Sequence, residues 1–196
     1  NNYSCVYSFQ AFNSGDPMAN ENLIRIQRIS GKLTRLFMIL TICTPMLILF
    51  YWLFFNQLSA GFKVGLPVDL NQLLPYSTLS LAFLISFLPG AVAIYGLITL
   101  QELFGLYEKA IVFSVNNVNC YRRLGHTLIY WVVAKFISIP LLSLVLTFNH
   151  PPGKRTLALG ISSSEIATLI TGIIVVVISW VMNEACKLND EQAYTV

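Results

Sequence analysis

One cation, Lys135, stands inside the otherwise uncharged run from Leu124 to Phe148. An ammonium at that position can do chemistry that a surface lysine cannot. Ions within a bilayer face the bundle interior or a wet cavity, where they bind anions or couple to protons. The alternative is structural: the side chain snorkels, or bonds to carbonyls freed by Pro140. Lys135 lies eleven residues beyond Leu124, about 16 Å along a helix and near the bilayer centre. Tyr95, Ser86 and Ser138 are the neutral groups that would complete an intramembrane polar site. No carboxylate sits at central depth, so an acidic partner must reach in from an end or from another subunit.

Other chemistry has little support in the residues. His126 and His150 stand alone, outside any HxxxH or HExxH spacing. The run Ser162 to Glu165, "SSSE", precedes an apolar stretch and reads as a variant capping box rather than a nucleophile site. No Gly-rich phosphate loop, metal-ligand constellation or paired buried carboxylates occur, so no cofactor, no metal and no enzymatic activity are expected. An integral-membrane enzyme would need His126, Glu102 or Glu184 to converge in one cleft.

The elements that carry these residues follow from composition. Only 11% of the 196 residues are charged and 56% are hydrophobic, against about 25% charged in a soluble domain. Mean hydropathy is +0.67. Four stretches, 36–55, 76–100, 124–148 and 166–183, meet the roughly 20 apolar residues needed to cross a bilayer about 30 Å thick. They are too long and continuous for barrel strands, and without water their backbone must be helical. Lys135 does not forbid the third span. A central lysine costs roughly 2.5–3.5 kcal/mol, whereas the fourteen Leu, Ile, Val and Phe residues there return on the order of 6 kcal/mol. The expected fold is all-α, a four-helix membrane bundle forming one domain over residues 18–196.

Short-loop cations set orientation. Arg25, Arg28, Lys32, Arg35, Lys109, Arg122, Arg123 and Lys187 place eight on one side, against Lys63, Lys154 and Arg155 on the other. Both termini are therefore expected in the cytoplasm. Tyr51, Trp52, Phe54 and Phe55 read as an interfacial aromatic group at the outer end of the first span. Cys5, Cys43, Cys120 and Cys186 form no CxxC pair, and no disulfide framework is expected. The net charge of +3 gives no support to direct nucleic-acid binding. Residues 1–17 fit the rest poorly and read as an atypical N-terminal extension or an added segment.

Two stretches echo one another. Asn22-Leu23-x-x-Ile26-x-Arg28-Ile29 and Asn117-Val118-x-x-Tyr121-x-Arg123-Leu124 repeat Asn, apolar and Arg positions at equal spacing. Each half then reads as an arginine-bearing entry, a span out and a span back, a parallel repeat, or else as convergence on common helix-entry chemistry. Ser114 is placed to cap the third helix, with Asn116 or Asn117 sharing the work. Arg25, Arg28, Arg122, Arg123 and Asn117 form a candidate cytoplasmic interface, either an interfacial anchor or a docking surface for a partner. Ser164, Thr168 and Gly172, at four-residue spacing, suit close helix packing within the chain or across a homo-oligomer. Pro45, Pro89 and Pro140 permit kinks in three spans.

The stretch "LYEKAIVFSVNNVNCYRRLGHTLI" resembles the bacterial membrane family known as domain of unknown function 2975. Tyr107, Phe113, Ser114, Asn117, Arg123, Leu124 and Gly125 carry the likeness, and Ala110 stands where that family usually has glycine. Leu188, Glu191, Thr195 and Val196 are similar to its acidic tail. The resemblance covers roughly 33–196. It implies four spans, a bacterial inner-membrane location and, from the family's gene neighbourhoods beside helix-turn-helix regulators, a membrane partner or regulatory role. No established reaction comes with it, so no catalytic residue is carried over. The expectation is a non-enzymatic membrane protein acting through protein contacts, as a regulatory factor or accessory subunit. The alternative is a small-solute or ion transporter or channel subunit built on Lys135.

Overall fold

A computed structural model describes residues 17–58, 73–111, 114–148 and 157–193. Lys63, His150, Lys154 and Arg155, and residues 1–16, lie outside the described residues. So do Phe113, Tyr194, Thr195 and Val196. Four long helices make up the described chain: α1, Pro17–Leu53; α2, Tyr76–Glu108; α3, Val115–Thr147; and α4, Ser163–Ala193. A short 3-10 turn, Phe55–Gln57, follows α1. All four helices are long and apolar enough to cross a membrane, and no strand occurs among the described residues. The chain is a multi-pass membrane protein. Pro45, Pro89 and Pro140 each sit inside a helix that continues through them.

The helices pack in chain order, α1 on α2, α2 on α3 and α3 on α4, and among the described residues no extended contact joins α1 to α4. The bundle is open, with two edge helices. In lipid this costs nothing by default, because acyl chains solvate an apolar face as well as leucine does. Close packing arises instead where residues are small. At the α3–α4 crossing a Cβ on Gly125 would lie 2.9 Å from both the Gly172 carbonyl oxygen and the Val176 amide nitrogen. Two glycines thus bring two backbones together.

The end of the bundle carrying Arg123 is tied by its shortest connection. Helix α2 ends in a Schellman motif: the Ile111 amide bonds the Leu106 carbonyl at 3.0 Å and the Ala110 amide bonds that of Tyr107 at 3.0 Å. Ala110 takes φ 60° there, a left-handed conformation that costs a residue with a Cβ roughly 1–2 kcal/mol. This explains why glycine suits the position. Ala110→Gly is expected to raise stability by about 1 kcal/mol, reduced by the extra freedom glycine brings to the unfolded chain. A higher midpoint of thermal unfolding in detergent would show it.

Ser114 then caps α3, its hydroxyl accepting the Asn117 amide at 3.3 Å. At the opposite end, the far end, α1 and α2 meet in an apolar cluster of Trp52, Phe55, Leu74, Leu79 and Ala82, with Leu146 of α3. Trp52 and Phe55, 5% and 1% exposed, stack with ring centroids 5.2 Å apart. Two of the four expected interfacial aromatics are therefore core residues. The chain turns after Leu53 and carries Phe55 back onto α2, a fold-back that aromatic clustering along a sequence does not reveal. Asn56 fastens the same end, its amide nitrogen donating to the Leu74 carbonyl at 3.0 Å and its oxygen accepting the Leu74 amide at 3.1 Å.

Candidate functional site

Two regions collect the polar side chains. The first is the arginine-bearing end. Here all four helices run on past their apolar stretches: α1 from Pro17 to Arg35, α2 over Gln101–Glu108, α3 over Val115–Arg123 and α4 over Glu184–Ala193. Helices cross from lipid into water here because their sequences switch from apolar to charged while helix-forming residues continue. The α1 extension is nineteen residues, about 28 Å. Arg25, Arg28 and Arg122 are exposed on this structure. Ile24, Ile26 and Ile29 are exposed between the arginines.

Arg123 pairs with Glu102 at 3.0 Å, joining α3 to α2, with both side chains about half exposed. An exposed pair of this kind contributes about 1 kcal/mol at most. The Tyr107 and Tyr121 hydroxyls share a hydrogen bond of 2.7 Å nearby. Asn117 is fully buried, and its amide nitrogen donates to the Ile111 carbonyl at 2.8 Å. The asparagine thus locks the turn that ends α2 onto the first turn of α3. Asn116 and Asn119 are exposed. Val118 and Cys186 are buried against Met182, sealing α3 to α4 just outside the apolar zone.

The second region surrounds Lys135. Its ammonium lies over the Trp131 ring, 5.7 Å from the centroid, a cation–π contact worth roughly 0.5–2 kcal/mol. Lys135 is half-buried and lies within Coulombic reach of Glu165. Glu165 in turn closes half of a capping box: its carboxylate accepts the Ser162 amide, while the Ser162 hydroxyl bonds Ser164 at 2.7 Å rather than the helix backbone. A recess of about 360 Å³ opens between Ile139, Gly160, Ser162 and Glu165. Glu165 reaches this level because α4 begins late, part-way along α3 rather than at its end. Along the sequence Glu165 stands only as a cap at a span boundary, and nothing there signals its proximity to Lys135.

Among the described residues none of the remaining candidates hydrogen-bonds to Lys135. Tyr95 is exposed, Ser86 is half-buried, and Ser138 is buried with its hydroxyl making no hydrogen bond among the described residues. Of the small-residue row, Gly172 lies in the α3–α4 crossing, Thr168 is half-buried with its hydroxyl on the Ser164 carbonyl at 2.8 Å, and Ser164 is exposed. His126 stacks on Tyr130, and Glu184 pairs with Lys187. Among the described residues no group of three metal-ligating side chains forms.

Residues 63–196 match the model of a family described as a protein of unknown function, DUF2975. The chain belongs to this family. The match covers more than half of the chain and includes α2, α3 and α4; it starts later than residue 33, where the resemblance begins. No curated protein and no solved structure matches the chain. This DUF2975 member carries the two polar regions described above.

Proposed function

We propose that this member of the family is a non-enzymatic protein of the bacterial inner membrane that acts through protein contacts, as a regulatory factor or an accessory subunit of a larger membrane complex. The observation that carries this reading is the one-sided extension of the helices. At the arginine-bearing end, α1 alone projects about 28 Å beyond its apolar span and presents Arg25 and Arg28 alternating with exposed isoleucines. Cations around exposed apolar side chains suit an acidic, amphipathic partner surface. The cation imbalance orients this end toward the cytoplasm. The test is a photo-crosslinking residue in place of Ile26, exposed to light in intact cells. The expected result is one adduct of defined mass with a different protein, lost in Arg25→Glu/Arg28→Glu. Labelling of lipid alone would refute the reading and leave α1 as an interfacial anchor.

A second reading, a small-solute or ion transporter or channel subunit, rests on Lys135 with Glu165 at mid-depth beside an open recess. It expects liposome flux that Lys135→Ala abolishes.

A further inference from the structure

The chain between α3 and α4 is unusual for its depth. Ala158 donates its amide to the Ser143 hydroxyl at 3.0 Å, and Gly160, Ile161 and Glu165 line a small gap with Val132 and Phe136. The non-helical stretch 157–162 therefore runs beside residues 136–143 of α3. Measured from Leu124, where the apolar span begins, those residues lie about 18–28 Å along the helix. That is the far half of a hydrocarbon core about 30 Å thick.

Irregular backbone at that depth is tolerated only when protein covers it or when it lines water. Among the described residues, the amides of Leu159, Gly160 and Ile161 find no acceptor. Lipid offers them none. Water does not suit the segment either, because Leu157, Leu159 and Ile161 point outward at 58%, 67% and 58% exposure. Protein does suit it. Beside the segment, Ser164 and Ala167 leave α4 with small exposed side chains that permit close approach.

We propose that this seam binds a second copy of the chain. The charges favour a second copy over an unlike protein. Two copies inserted in the same sense are related by a twofold axis along the membrane normal, so every residue keeps its depth. Val132 and Phe136, either side of Lys135 on α3, line a gap with Glu165. Lys135 and Glu165 therefore share one depth on adjacent helices, and neither makes an ion pair among the described residues. An axis beside the seam can set Lys135 opposite Glu165 of the partner subunit, and the patch is then complementary to itself. The seam lies away from the arginine-bearing end, so this contact and the partner proposed above stand or fall separately.

The experiment uses the full chain in its own membrane with Leu159→Cys, an exposed position whose change spares the fold. A bifunctional maleimide is expected to give a dimer of this chain that the unchanged protein does not give. In differently tagged copies, Lys135→Glu and Glu165→Lys should each weaken co-purification about tenfold or more, and the double reversal should restore it. Rapid reaction of Leu159→Cys with a membrane-impermeant maleimide would show a watery cavity and overturn the proposal. So would a crosslink only to another protein, or a monomer unaffected by either charge reversal.

Discussion

Gly125→Ala is expected to be the most damaging single methyl group that can be added to this protein. The new Cβ would stand 2.5 Å from a Val176 methyl and 2.9 Å from two backbone atoms of α4. Backbone cannot rotate aside as a flexible side chain does, so the two helices must separate. Overpacking of this kind costs about 1–3 kcal/mol, and the cost rises with the bulk added. Gly125→Val should therefore approach loss of the α3–α4 hairpin. Gly172→Ala meets its nearest atoms at 3.0–3.2 Å and should cost less. Gly105→Ala meets nothing within 4 Å and should leave the midpoint unchanged or slightly raised. Thermal unfolding in a mild detergent, followed by reactivity of the buried Cys186 thiol beside Val118, orders the series. Equal effects at Gly125 and Gly105 would show that the crossing does not depend on backbone approach.

Asn117 carries the second large effect. Its side chain is wholly buried and supplies a donor to the Ile111 carbonyl, while Ile111 itself closes the Schellman turn of α2. Asn117→Ala removes that donor and opens a void, a loss of about 1–3 kcal/mol from the unpaired carbonyl alone. Asn117→Asp should be worse at neutral pH, because an ionised carboxylate cannot donate and its burial is costly. Lowering the pH protonates the introduced acid and provides an O–H donor. The Asn117→Asp variant should thus regain stability, relative to the unchanged chain, as pH falls. A pH-independent difference between the two proteins would remove the hydrogen bond to Ile111 from the explanation. The surface pair Arg123–Glu102, half exposed at both partners, offers no comparable effect.

The contrast between these two positions shows which features were legible in the residues. Ser114 and Asn117 lie three residues apart at the start of a helix, and capping is local chemistry, so Ser114 was readable as the cap. Asn117's role was only partly readable. Its side chain turns to Ile111, across a turn whose geometry depends on Ala110 adopting φ 60°. Gly125 could be matched to a family pattern, but nothing along the chain pairs it with Gly172. Asn56 and Leu74, eighteen residues apart and bonded twice, left no sequence signal. The α4 start is legible as a variant capping box, of which only the Glu165 half forms, yet its level beside Lys135 is not.

Residues alone determined that this chain enters a bilayer, how many helices cross it and where each apolar stretch lies. Those properties sum over single residues through their transfer free energies, and no neighbour is needed to evaluate them. Tertiary structure alone decided that the helices form an open row, that Trp52 and Phe55 turn inward, that Gly125 meets Gly172, and that Glu165 shares a depth with Lys135. In lipid every apolar face is equally well solvated, so hydrophobicity does not select partners. Shape, small residues and a few hydrogen bonds select them, and these act only between segments already brought together.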